Sequence, residues 1–414
     1  MAASPLPTEL FGYEYYQNPY PAFAWLRDNS PVHEFRFPVG DVRTWIATRF
    51  EDVHALLGDP RFSNDATAYA SREFLDSGMV LGADTPVARI LTVLDPPDHT
   101  RVRKLAMGAF TPRRVAQWRE PTERIVAASL DKLAVSESPD VVDYASAIPA
   151  AVIGEILGIP MTRYNDMLHA IDRAFRPDDD KDRIQRAFED IAEYGRELIA
   201  EKRKMLGDDL MTVFIQARDG DDRLTGDELV SMLALMIMAG LDTTRNLIGS
   251  AVLALLDHPE QRRLLMSDPG LVPGAVEEFL RYDGALTVGL FRFAKEDMEF
   301  AGTRLPAGAP VVAALQGANR DPRRFTDPDR LDITRDGPRH VGFGHGLHNC
   351  LGAALARVEA AVAIPAIFER FPRLELAVPR SEVTYSENWL LRGLASLPVH
   401  LHGTGADGGK GGAR

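Results

Sequence analysis

"VGFGHGLHNCLG", residues 341–352, carries the only cysteine of this 414-residue chain, Cys350. Three glycines and two histidines precede it, and the helix-forming run "LGAALARVEAAVA", 351–363, follows. The thiol is therefore expected at or just before a helix N-terminus, where unpaired amides and the helix dipole favour a thiolate. The glycines allow a tight turn and leave room for a large flat group to approach. Several chemistries fit a lone cysteine. It could be a buried structural thiol. A dinucleotide loop starting at Gly344 would need glycine where Asn349 stands. A zinc site built from His345, His348 and Cys350 lacks a fourth ligand. A cysteine nucleophile needs a histidine that the sequence does not single out. The last reading is an axial thiolate to haem iron.

The surrounding composition narrows the class of protein. Hydrophobic content of 45% and charged content of 26% are those of a globular protein. A single cysteine excludes an internal disulfide and fits a reducing compartment. The N-terminal stretch has no basic region followed by an apolar one, so no export signal is expected. The longest apolar run, 229–241, contains Ser231 and falls short of the roughly 20 residues that span a bilayer. No membrane association and a cytoplasmic location are expected. A net charge of −13 argues against a general nucleic-acid binder.

Most of the chain has helical periodicity, including "YPAFAWLRDN" and "RFEDVHALLGDPRFS". The stretch 64–90 reads as a long loop with broken helical turns. "PPDHTRVRKLAMGAF" opens another helix behind its prolines. The acidic run at 176–183 reads as a solvated turn between helices. Thr225 and Glu228 form a capping-box pattern, and Pro259 ends the segment they begin. About 32 residues at 1.5 Å each predict a buried helix of roughly 48 Å. Residues 283–318 and the closing "LELAVP…WLLRGLASLPVHL" read as strands and hairpins. One domain over 1–402 is expected, with a disordered Gly-rich tail at 403–414.

The centre of the long helix breaks several rules at once. "AGLDTT", 239–244, places Gly240, an acid and two threonines in an apolar helix. Each costs up to about 1 kcal/mol against alanine. Threonine hydroxyls compete for backbone carbonyls and can open the helix locally. Asp242 is expensive there unless hydrated, paired or functional. Such clustering suggests a site, although a kink packed for shape would also produce it. "EEFLR" sets Glu278 and Arg281 three apart, which is ordinarily a weak surface pair. "HTRVR" sets His99 and Arg103 on one helical face.

Taken together, these stretches resemble the cytochrome P-450 family. "FGHGLHNCLG" is similar to its haem-binding loop FxxGx(R/H)xCxG, matched at Phe343, Gly346, His348, Cys350 and Gly352. "AGLDTT" is similar to its oxygen-activation motif (A/G)Gx(D/E)T(T/S), and Glu278 and Arg281 match its ExxR. Arg330, in "FTDPDRLD", fits the arginine that completes a three-charge cluster, with Asp329 and Leu331 departing from the family's glutamate and phenylalanine. His99 and Arg103 match an HxxxR pair, and Arg292 resembles an arginine that binds a haem propionate.

The resemblance implies a mainly α fold with a smaller β-rich lobe, the haem lying between the long central helix and the cysteine loop. It implies haem b with its iron held by Cys350, propionates held by His99, Arg103, Arg292 and His348, and the structural cluster Glu278, Arg281 and Arg330. Asp242 would relay protons, and Thr243 would hydrogen-bond dioxygen and prevent early peroxide release. By family position, Leu235, Met238, Ala239, Val288, Gly289, Leu290 and Leu391 would line the pocket for a lipophilic small-molecule substrate. O2 and electrons from ferredoxin and ferredoxin reductase would complete the reaction, in secondary-metabolite tailoring or catabolism. Arg101, Lys104, Arg113 and Arg357 would offer the ferredoxin a basic patch. Two other readings stay open: a peroxide-driven haem-thiolate enzyme, and a non-catalytic module that keeps the fold to recruit another protein. Asp242 and Thr243 weigh against the first, and retention of Cys350 weighs against the second.

Overall fold

The Thr225 side chain accepts the Glu228 amide at 3.2 Å, and the Glu228 carboxylate accepts the Thr225 amide at 2.8 Å. This reciprocal cap satisfies two amides that a helix start otherwise leaves unpaired. It opens a 32-residue helix, Gly226–Asp257, matching the span expected from the sequence. The structure, a computed structural model, describes residues 6–403 apart from 78, 81–84, 161–162, 164–166, 172–180 and 220–221. Most of the acidic run at 176–183 lies outside the described residues, as does the expected tail beyond Gly403.

The helices that bear on function are α1 (Tyr20–Asn29), α2 (Phe50–Gly58), α3 (Asp98–Met107), α4 (Arg119–Ala134), α5 (Val141–Leu157), α6 (Lys181–Lys204), α7 (Gly226–Asp257), α8 (Val272–Asp283) and α9 (Ala353–Arg370). The central helix α7 packs against α5, α6, α8 and α9. Its buried positions, among them Leu233, Ile237, Leu247 and Ile248, join Val152, Ile364 and Ile367 in the largest apolar cluster. Burial on all sides fits a helix that is apolar nearly all round. Between the start of α3 and the sheet lies the stretch read as broken turns. It carries two short helices, Ala66–Tyr69 capped by Asp65 and Arg72–Asp76 capped by Ser71.

The β-rich lobe holds a five-stranded sheet of β1 (Val32–Phe37), β2 (Val42–Ala47), β3 (Phe62–Ser63), β4 (Arg292–Ala294) and β5 (Pro310–Ala313). Its order is β1-β2-β5-β4-β3, with β2 and β5 parallel and the other neighbours antiparallel. The segment 283–318 thus supplies two inner strands and a hairpin, Met298–Phe300 with Thr303–Leu305. The closing stretch pairs Glu375–Leu376 with Val399–His400. An aromatic cluster including Phe23, Phe37, Phe74 and Phe293 fills the space beside the sheet.

One buried carboxylate ties the two ends of the chain to α8. Asp283 accepts hydrogen bonds from Tyr20, from Tyr385 at 2.9 Å and from Arg392 at 2.5 Å. Burial opposes its ionisation, but Arg392 and Tyr20 hold its pKa below the usual carboxylate range. Among the described residues no helix is long and apolar enough to cross a membrane.

Candidate active site

Cys350 stands three residues before the first residue of α9, Ala353, with Gly352 at the helix N-cap. Its amide donates to Phe343 O at 2.9 Å, which closes the loop. The Asn349 side chain donates to the same carbonyl at 3.2 Å. Gly344 and Gly346 both have φ of 72°, a left-handed conformation that side chains resist. A Cβ on Gly346 would also lie 2.8 Å from Leu57 O of α2. The glycines therefore let this loop turn against α2. The Cys350 side chain is exposed, yet burial raises its pKa, opposed by the Gly352 amide and then by Arg103 and Arg357. A thiol that is accessible and yet feels that much burial sits in a recess of the protein.

The loop is braced from α8. Glu278 and Arg281 form a two-pronged pair at 2.7 and 2.8 Å, each nearly inaccessible to solvent. This is a buried pair, unlike the surface pair that the i, i+3 spacing ordinarily gives. Arg281 also donates to Asn319 O at 3.0 Å and Pro328 O at 2.7 Å. Asn319 Oδ1 in turn accepts the amide of Val341, the first residue of the cysteine stretch, at 2.8 Å. The expectation that Arg330 completes the cluster is corrected. Its side chain is 65% exposed and, among the described residues, pairs only with Asp332. Its carbonyl, not its guanidinium, serves the cluster by accepting Arg281 at 3.1 Å. The second guanidinium on Glu278 belongs to Arg335. Sequence position alone does not separate two arginines in one irregular stretch.

Around the loop gather two arginines and two histidines that, among the described residues, have no carboxylate in ion-pair reach. His99 is 1% exposed, and neither ring nitrogen has a partner among the described residues. Its ring lies 4.2 Å from that of His348. Arg292, on β4, is 6% exposed with no carboxylate in ion-pair reach among the described residues, and burial pushes its pKa down to about 10. Burial, followed by Arg292, His99 and Arg103, pushes His348 down to about 3. Arg103 donates to Asn349 O at 2.8 Å and likewise has no acid partner among the described residues. Asp95, the nearby acid, already accepts Ser63 Oγ at 2.6 Å and the Asn64 amide at 3.0 Å. Buried polar groups are rarely left unpaired. These four side chains, next to a recessed thiol, fit a group bearing two carboxylates, as haem does.

The middle of α7 is less buried than the stretches on either side of it. Ala239 is exposed, and Met238 and 240–243 are half-buried, between fully buried stretches. Thr243 Oγ1 donates to Ala239 O at 2.7 Å, yet α7 stays continuous through this point. A Cβ on Gly240 would collide with Ile153 Cδ1, so glycine here permits close packing of α7 on α5. Asp242 pairs with Arg245 at 3.1 Å. Arg245 was not among the expected site residues, although its i, i+3 spacing from an acid was visible in the sequence.

The expected pocket residues divide. Met238, Ala239, Leu290 and Leu391 expose surface, while Leu235 and Gly289 are buried. Val288 is corrected: it is fully buried within the aromatic cluster beside the sheet. Among the residues expected to form a basic patch, Arg101 and Arg357 are paired with acids. Arg101 pairs with Glu228 and with Asp222 at 3.4 Å. Arg357 pairs with Glu277 at 2.6 Å and lies over the Phe343 ring at 4.5 Å. Lys104 and Arg113 are exposed.

Comparison with known proteins agrees with this geometry. The family model described as Cytochrome P450 matches residues 152–268 and 270–398. The vitamin D(3) 25-hydroxylase of Pseudonocardia autotrophica is 41% identical over 395 residues, covering 95% of this chain and 96% of that protein. The cytochrome P450 monooxygenase PikC of Streptomyces venezuelae is 38% identical, covering 96% and 95%. A myxobacterial cytochrome P450 solved with myristic acid has 38% identity and a TM-score of 0.88, covering 95% of this chain and 98% of its own. With its fold, its recessed cysteine and its sequence all in agreement, this chain belongs to the cytochrome P450 family of haem-thiolate monooxygenases.

Proposed function

We propose that this protein, acting through one domain over 1–402, oxygenates a lipophilic small molecule in secondary-metabolite tailoring or catabolism. Electrons would come from a ferredoxin and its reductase. The observation that carries the reading is Cys350 beside two arginines and two histidines that have no carboxylate in ion-pair reach among the described residues. Cys350 would hold the iron, and His99, Arg103, Arg292 and His348 would hold the two propionates. When bound, haem with a thiolate ligand supplies O2 activation, delivering one oxygen atom to substrate and releasing the other as water. The chain's own part is proton handling and orientation. Thr243, already anchored to Ala239 O, presents its hydroxyl from the open stretch of α7 and would steady dioxygen there. Asp242, one residue away and half-exposed, would pass protons to it. Met238, Ala239, Leu290 and Leu391 offer apolar surface to a substrate. A relative named for vitamin D(3) and a structural neighbour holding myristic acid both support an apolar substrate. The exposed face that carries Arg113 would meet an acidic redox protein.

The test begins with the purified protein reduced under carbon monoxide. A strongly red-shifted thiolate band is expected, and its absence after haem is supplied would overturn the reading. Lipophilic compounds that shift the iron spin state would then be incubated with ferredoxin, reductase and O2. Product with hydrogen peroxide, but none with the electron-transfer proteins, would instead assign the peroxide-driven chemistry.

A further inference from the structure

One face of α7 carries a polar line that extends well beyond Asp242. At 100° and 1.5 Å per residue, Asp242, Asn246, Ser250 and Asp257 fall within an arc of about 80° and span about 22 Å. Arg245 joins the first two, meeting Asp242 at 3.1 Å and donating through Nε to Asn246 Oδ1 at 3.1 Å. At the far end Asp257 pairs with Arg380 at 2.8 Å, and between these two pairs the protein's own pairing lapses. Asn246 Nδ2 and Ser250 Oγ are buried with no partner among the described residues, and each residue is 3% exposed. Gly393 lies so close to Asn246 that a Cβ there would collide with the amide. At the far end, Ser250 and Asp257 line a cleft of about 390 Å³.

Two unpaired polar groups one helical turn apart, leading from a roomy polar cleft, match how proteins hold buried water. At about 30 Å³ per molecule, the cleft has room for about a dozen waters. We propose that this line is a water-bearing route along which solvent protons travel from the cleft to Asp242. Asn246 and Ser250 hold the waters. Arg245 is a positioning residue, because its guanidinium stays charged and cannot itself relay a proton. The proposal rests on the monooxygenase reading above. Per turnover, one O2, two electrons from the redox protein, two solvent protons and one substrate C–H give one hydroxylated product and one water. The route supplies the two protons.

The variants Ser250→Val and Ser250→Thr have the same shape and differ in the hydroxyl. With the haem-loaded protein, S250V is expected to lower product formed per electron pair about threefold, divert the difference to peroxide, and enlarge the solvent isotope effect. S250T is expected to restore both. Crystal structures should show water between Asn246 Nδ2 and Ser250 Oγ in the wild type and in S250T, and none in S250V. Equal losses in S250V and S250T, wild-type behaviour in S250V, or a wild-type site without water would each overturn the route. A wild type lacking the carbon monoxide band would overturn the monooxygenase reading and the route with it, before any variant is compared.

Discussion

Arg335 Nε lies 3.2 and 3.1 Å from the two carboxylate oxygens of Glu278. With Arg281 on the same carboxylate, a single buried acid is held from two directions, and the Asp332 amide adds a third contact at 2.9 Å. Removing one partner of a buried ion pair costs about 3–5 kcal/mol. Arg335→Ala is therefore expected to destabilise the fold by about 3 kcal/mol and to loosen haem. Arg330→Ala should stay within about 0.5 kcal/mol, because only its carbonyl is used. Urea unfolding of both variants, with the haem-to-protein ratio, checks the assignment.

Arg292 should act in opposite directions with and without cofactor. Buried with no carboxylate in ion-pair reach among the described residues, its charge costs the haem-free protein stability. Arg292→Leu is expected to raise the melting temperature of haem-free protein and to weaken haem binding about tenfold, the 1.4 kcal/mol order of one lost charge-assisted bond. A variant that weakens neither haem binding nor holo stability would remove Arg292 from the propionate set.

Gly240 and Ile153 should be energetically coupled. Gly240→Ala gains about 1 kcal/mol of helix propensity but collides with Ile153, and overpacking costs about 1–3 kcal/mol. The single variant should be net destabilising. Ile153→Val removes the obstructing methyl, so the double variant should be more stable than the sum of the two singles. Chemical denaturation of the four proteins measures the coupling.

Glu359 sits on α9 fully enclosed, its Oε2 without a partner among the described residues, and burial pushes its pKa up to about 8. The folded state therefore keeps its proton where the unfolded state has lost it. Stability should fall as pH rises from about 4.5 to about 8, by up to about 1.4 kcal/mol per unit. Glu359→Gln should flatten that slope in urea unfolding at pH 5, 6.5 and 8. An identical slope in wild type and variant would contradict it.

Legibility of the sequence followed the range of the forces involved. The 32-residue span of α7 was readable because its cap and its terminating proline are local. The cysteine loop was readable because its glycines answer to local backbone geometry. The β1–β2 hairpin is not marked in the sequence, since "VHEFRF" lacks a clean alternation and its partner β2 is itself held by β5, over 260 residues away. Choosing Arg335 over Arg330, or finding Arg357 neutralised by Glu277, needs tertiary contacts that no local pattern encodes. Gly240 looked like a weak point in a helix, and the structure gives its reason in Ile153.

The Asp283 junction has a practical side. Tyr20 and Arg392, separated by 372 positions, fasten to the same carboxylate at the end of the helix that braces the cysteine loop. Trimming the chain past Tyr20, or cutting it before Arg392, would leave a buried acid facing fewer partners beneath that helix. Fusion partners and affinity tags therefore belong outside these two fastenings, where added chain leaves the shared anchor undisturbed.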